Sequence, residues 1–169
     1  IVVYRETIQK KSPEVEGKSP NKHNKFYFTV EPLDENIYQA IKKGELPEIR
    51  IKKKDQLVFD KLEELGISAK EAKKLREIYK GNILVDDTRG VVHIGEIIEM
   101  IMDGFEQVVN ACVLSREPAA KLKVSLLDTK LHEDAIHRGP AQVLPAVREA
   151  LREAFRLSSP ALLEPLQIL

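Results

Sequence analysis

The densest chemistry in the chain lies between Leu131 and Gln142, in LHEDAIHRGPAQ. It holds His132, Glu133, Asp134, His137, Arg138, Gly139 and Pro140. A zinc-protease site sets two histidines at i and i+4, one helical turn apart, beside a glutamate. His132 and His137 are five apart, about 140° around a helix, so a helix would not aim both at one ion. Strand-like residues and a Gly-Pro step flank the segment, which argues against a helix, and no metal site is expected. A proton-transfer pair of His137 and Asp134 stays open on composition, but no second acid, metal or oxyanion device accompanies it. The single cysteine, Cys112, falls on an apolar stripe and reads as a buried structural thiol. Neither a G-x-S-x-G frame nor a phosphate-binding glycine loop occurs, so no catalytic residue is expected.

The step from Arg138 into Gly139-Pro140 suits a helix start, because proline is tolerated where the first N–H groups have no partner. Such an end attracts anions, and His137 and Arg138 would project beside it. Pro145 leaves two starts open. From Pro140 it falls inside the helix; from Gln142 it falls in the first turn. A second candidate is GKSPNKHNK, Gly17–Lys25, with Lys18, Lys22 and Lys25, His23 and two asparagines but no acid. Its composition suits phosphate contacts as well as an ordinary solvated loop. The basic run Arg50–Lys54 reads as a solvated face or a helix lead-in, with no assigned role.

These residues must be held by a fold that composition bounds. The 169 residues are 43% hydrophobic and 32% charged, which suits one compact soluble domain. Basic and acidic residues balance at 27 each, so any pull on nucleic acid must be local. One cysteine implies a reducing, cytoplasmic setting. No apolar run approaches the roughly 18 residues of a membrane span, and no signal peptide is visible. Both ends are apolar and read as cut from something larger.

Ile1–Gln9 and Phe26–Leu33 are rich in β-branched and aromatic residues and predict two strands, paired as a hairpin with a long basic tip. Asp34 predicts an N-cap for a helix that closes at Gly44. Leu57, Val58, Leu62 and Leu65 mark a second helix stopped by Gly66. Ser68 with Glu71 is a capping-box pattern for a third. These pieces read as a helical insertion. Asn82–Asp87 predicts a short strand, and Ile94 to Cys112 a long amphipathic helix. Lys121–His132 alternates as a half-buried strand, and a last helix follows Gly139. The order predicts an α/β (α+β) sandwich: a mostly antiparallel sheet with helices on one face and a helical insertion.

Five stretches in order, VVYRETI, KSPNKHNKFYFTVEPL, NILVDDTRGV, DTKLHEDAIHRGPAQVLPAVREA and LLEPLQI, resemble translation elongation factor 2 of the archaeal type. The resemblance spans almost the whole chain and falls on the factor's fourth domain (1–157), with 158–169 as the first strand of the next. It departs at ACVLSREP, where the family often has a Gly-Pro-Leu turn. It implies a fold like the second domain of ribosomal protein S5, and a tip that enters the small-subunit decoding region during translocation and keeps the reading frame. It also implies that His137 is the histidine converted to diphthamide and ADP-ribosylated by toxins. Lys18, Ser19, Pro20, Asn21, Lys22, His23, Asn24, Lys25, Asp134, Arg138 and Gly139 would form the tip around it. The implied partners are the ribosome, the tRNA–mRNA duplex and the diphthamide-synthesis enzymes, with no membrane and no DNA. GTP and magnesium would belong to the complete factor; this fragment would need no cofactor and would not be an enzyme. A free-standing RNA-binding module of the same fold is the alternative, which the cut-looking ends disfavour.

Overall fold

The computed structural model describes residues 5–51, 55–89 and 94–163. Its centre is a five-stranded sheet in the order Val15–Lys18 (β2), Lys25–Pro32 (β3), Leu122–Lys130 (β6), Asn82–Asp86 (β5) and Leu75–Tyr79 (β4). All neighbours run antiparallel except β5 and β6, which are parallel. Arg5–Ile8 (β1) and Pro160–Leu163 (β7) form a separate antiparallel pair.

The two long helices, Ile94–Asn110 (α4) and Pro140–Arg156 (α5), pack on one face of the sheet. There Ile97, Ile101, Phe105 and Val108 of α4 meet Val143, Val147, Leu151 and Phe155 of α5, with Phe28, Val124 and Leu84 beneath. The insertion, Glu35–Lys42 (α1), Gln56–Glu64 (α2) and Ala69–Ala72 (α3), builds a second core. Along β5, Leu84 belongs to the first core while Ile83 and Val85 belong to the second. Successive strand residues point to opposite faces, so the insertion covers the far face of the β4–β5 end.

Several local expectations hold. The Asp34 side chain accepts from the Asn36 amide at 2.9 Å and opens α1. The Ser68 hydroxyl accepts from the Glu71 amide at 3.2 Å. The strand Asn82–Asp86 and both long helices stand where the periodicity puts them. Of the two starts for the last helix, the chain adopts Pro140. Pro145 therefore lies inside α5, and the carbonyl it leaves without a donor is that of exposed Ala141.

Other expectations need correction. The first strand does not pair with the second: β1 pairs with β7, and β2 supplies the hairpin arm to β3. Val-Glu-Gly-Lys is poor in strand formers and gave no strand signal. Its glycine is required by packing, because a Cβ on Gly17 would lie 2.4 Å from the Ala146 carbonyl oxygen of α5. The third helix stops after one turn, and Leu75–Tyr79 is an edge strand. Lys80 and Gly81 both take positive φ, 48° and 81°, and make a tight hairpin turn to β5. That two-residue turn, followed by Asn-Ile-Leu-Val, was the overlooked signal. Leu57 is 83% exposed, so α2 buries Val58, Phe59 and Leu62 instead. Cys112 is buried but stands beyond the end of α4, and burial pushes its thiol up to about 12. Ile1–Tyr4, and Lys52–Lys54 of the basic run, lie outside the described residues.

Candidate functional site

Two loops meet at one end of the molecule: the β2–β3 hairpin tip, and the segment between β6 and α5. The hairpin tip folds on its own polar side chains. Lys22 takes a positive φ of 62° and donates its amide to the Ser19 carbonyl at 2.8 Å. Ser19 Oγ bonds Asn21 Oδ1 and accepts from the Asn24 amide. The other loop is ordered by Asp134, whose carboxylate accepts from the Ile136 amide at 3.1 Å. This caps a single tight turn, Ala135–His137, and the His137 amide closes it on the Asp134 carbonyl at 3.1 Å.

Asparagines join the loops. Asn24 is wholly buried, at 0% exposure. Its Nδ2 donates to the His137 carbonyl at 2.6 Å, and its Oδ1 accepts from the His132 amide at 3.0 Å. Asn21 Nδ2 donates to the same His137 carbonyl at 3.2 Å, and the Asn21 amide donates to Gln142 Oε1 of α5 at 2.9 Å. The His137 backbone is thus held by two side-chain amides from the opposite loop, and the residue is half-buried.

The rings of His23, His132 and His137 gather here, with centroids 4.4 to 5.1 Å apart and mutual angles of 61° to 65°. The five-residue spacing that fails on a helix succeeds across a bend. Helical geometry therefore missed His132, and only a hairpin-to-loop contact could have revealed it. The rings meet edge to face, and His132 Nδ1 accepts from the Asp134 amide at 3.0 Å. Among the described residues no group of three or more His, Cys, Asp or Glu could hold a metal ion. His137 and Asp134 meet through their backbones, and no side-chain hydrogen bond joins them among the described residues.

The tip residues divide into two sets. Lys18, Pro20, Lys22, His23 and Asp134 are exposed, and Asn21, Lys25, His137 and Gly139 are half-buried. Ser19, Asn24 and Arg138 are buried. Arg138 was expected to project beside the helix end. It is 5% exposed and turned inward, bonded to the Glu96 carboxylate and to the Glu133 carbonyl at 3.4 Å. These three brace the loops rather than face outward. Beside His137, Ile136 is 79% exposed, an apolar side chain at the apex that charge-based reading passed over.

The basic run at Arg50 has a different fate. Arg50 bonds Glu99 and Asp103 at 2.8 and 2.7 Å and also binds Glu106, with Glu77 at 3.8 Å. It ties the insertion to α4 and is not a free cation.

Comparison with known proteins bears on this geometry. The family model for elongation factor G, domain IV, matches residues 47–159, more than half of the chain. The chain belongs to that family. It is 50% identical over 167 residues to elongation factor 2 of Thermococcus sibiricus, covering 99% of this chain and 23% of that relative. To elongation factor 2 of Methanocaldococcus jannaschii it is 49% identical over 168 residues, with the same coverage. Elongation factor 2 of Methanosarcina mazei is 49% identical over 171 residues. The chain spans about a quarter of the length of these relatives, and its family match is to domain IV alone. Among the described residues no helix is long and apolar enough to cross a membrane.

Proposed function

We propose that this chain is the ribosome-facing domain of a cytoplasmic translocation factor. Its paired loops enter the small-subunit decoding region, contact the tRNA–mRNA duplex as it moves, and hold the reading frame. The observation that supports this most is the two-loop tip, in which Asn21 and Asn24 fix the His137 backbone while Lys18, Lys22 and His23 stand exposed around it. The net charge of the chain is zero, so this local set of cations supplies what attraction the tip has for phosphates.

In this reading His137 is the diphthamide position. The residue is only half-buried, which leaves an approach for the modifying enzymes and then for RNA. The added group would carry cationic reach beyond the apex. The complete factor would use GTP and magnesium, held outside this domain, and residues 158–169 would begin the following domain. The test is a reconstituted translation system with the complete factor carrying His137→Ala. Frameshifting should rise, and mass spectrometry of the peptide spanning His137 in the natural factor should show the modification. Unchanged frame maintenance in the variant would defeat the proposal.

A further inference from the structure

The two edges of the five-stranded sheet are treated differently. The outer side of β4 is taken by the segment before α2. There the Ile49 amide donates to the Ile78 carbonyl at 3.0 Å, the Ile78 amide donates to the Ile49 carbonyl at 2.9 Å, and the Ile51 amide donates to the Arg76 carbonyl at 2.7 Å. The outer side of β2 has no strand beside it among the described residues. The hairpin fixes which groups point that way. The Ser19 amide donates to the Asn24 carbonyl at 3.0 Å, so that pair is hydrogen-bonded, and antiparallel pairs alternate. Gly17 and Phe26 then form the next hydrogen-bonded pair, while Glu16 and Lys18 turn their N–H and C=O groups away from β3. Among the described residues no backbone hydrogen bond reaches those four groups.

The groove beside this edge is balanced in charge. Glu16, Glu149 and Glu153 line it together with Lys18, Arg152 and Arg156. The whole chain has no net charge, so two copies do not repel at long range. Along β2 the order is Glu16, Gly17, Lys18, and both charged residues are exposed. This triplet is complementary to itself. When it is laid antiparallel to a second copy about a two-fold axis at Gly17, Glu16 of each copy stands opposite Lys18 of the other. The outward backbone groups fall in the same register. Across the axis each Glu16 N–H meets a Lys18 carbonyl and each Lys18 N–H meets a Glu16 carbonyl, so all the outward groups are used. Gly17 meets Gly17 in the closer, non-hydrogen-bonded kind of pair, where no side chain intervenes. Pro20, which has no N–H to give, falls opposite Glu14 and ends the ladder.

We propose that the β2 edge is a self-association surface, where two copies of this chain join their sheets into one. The placement of α5 permits it. That helix packs on β2 and β3 together, with Ala146 and Ala150 against Gly17, so its axis stands inside the edge of the sheet. An inset of half a strand spacing on each side of a spacing of about 4.8 Å puts the two copies of α5 roughly 10 Å apart, which is a helix-packing distance. They run antiparallel, and their facing flanks carry Glu149, Arg152, Glu153 and Arg156, so neither sign of charge accumulates. A short, charged edge strand ordinarily turns other strands away. Here the charges admit a strand with the opposite order, and an antiparallel copy has that order. Pairing is therefore selective, reversible and sensitive to salt. Nothing in it depends on what the tip binds.

The test is sedimentation equilibrium of the 169-residue chain from roughly 10 μM to 1 mM. The parent should pass from monomer to dimer over that range, and the dimer should weaken as salt rises from roughly 50 to 500 mM. Lys18→Glu, and separately Glu16→Lys, set like charges opposite each other in both cross-strand pairs and should weaken dimerisation about tenfold. The double variant Glu16→Lys, Lys18→Glu makes every pair opposite in charge again and should recover the parental dimer. In the parent, hydrogen exchange at the Glu16 and Lys18 amides should slow as protein concentration rises, while that of Gly17, already paired with Phe26, should stay constant. This last readout needs no variant to fold. A parent that is monomeric throughout overturns the proposal. So does parental dimerisation by the single variants, or failure of the charge swap to rescue them. Protection of the two amides that does not vary with concentration would mean that the chain's own segments cover the edge, and also overturns it.

Discussion

Asn24 is the residue on which the tip turns. Its amide spans two chain segments more than a hundred positions apart, with the His137 carbonyl on one side and the His132 N–H on the other. Asn24→Ala would leave both groups without their partner in a buried place, at a cost of about 1–3 kcal/mol. Thermal unfolding should show the loss, and the His137 ring signals should broaden in NMR spectra as the loop gains freedom. Unchanged histidine signals would mean that the Asp134 turn alone sets the ring. Asn24→Asp should be worse, because it keeps the acceptor but replaces the donor with a buried charge. The sequence made Asn24 legible only as one polar residue in a basic loop. Its inward role follows from a long-range contact that no local pattern encodes. His137 was conspicuous from composition, and its place beside the hairpin came from resemblance rather than from spacing.

At the scale of elements, the α4–α5 crossing depends on a glycine. A Cβ on Gly104 would stand 2.7 Å from Val147 Cγ1. Gly104→Ala should therefore destabilise by about 1–3 kcal/mol, despite the better helix propensity of alanine. Val147→Ala in the same chain should recover part of this, and denaturant titration of the single and double variants would measure the coupling. Additive losses would show that the helices do not meet there as tightly as described. The helices were the most legible elements, because caps at Asp34 and Ser68 and the 3.6-residue stripe are local signals. The strands β2 and β4 were not. One is held in place by α5, and the other is drawn into the sheet by a Lys-Gly turn after a sequence that starts as a helix.

For the whole molecule, the joint between the two cores is electrostatic at one point. Glu77 is 1% exposed, with one carboxylate oxygen unbonded. Burial, reinforced by the Glu106 carboxylate, raises its pKa to about 8, against the partial opposition of Arg50. The folded state therefore holds this proton more tightly than the unfolded chain, whose ordinary glutamate pKa is about 4.3. In that window folding takes up a proton, so this group's contribution to stability falls as pH rises from about 4.3 to about 8 and is level above. Glu77→Gln should flatten this part of the pH profile and raise the melting temperature most at pH 8 and above. An identical pH dependence in variant and parent would assign the slope to other groups. The sheet order and the sharing of β5 between two cores are global facts. An alternating or all-apolar strand announces how many of its faces are buried, not what buries them.

The pairing of β1 with β7 has a mechanical meaning. Arg5 stands opposite Leu163 and Ile8 opposite Pro160, so the first residue of β1 lies beside the last residue of β7. A load that draws both strands the same way passes along them together and slides neither against the other. A load that splays them opens the rungs one by one from the Arg5 end, where little force is needed. A strand pair with this register is stiff to pushing and pulling along its length and weak to prising at the Arg5–Leu163 rung.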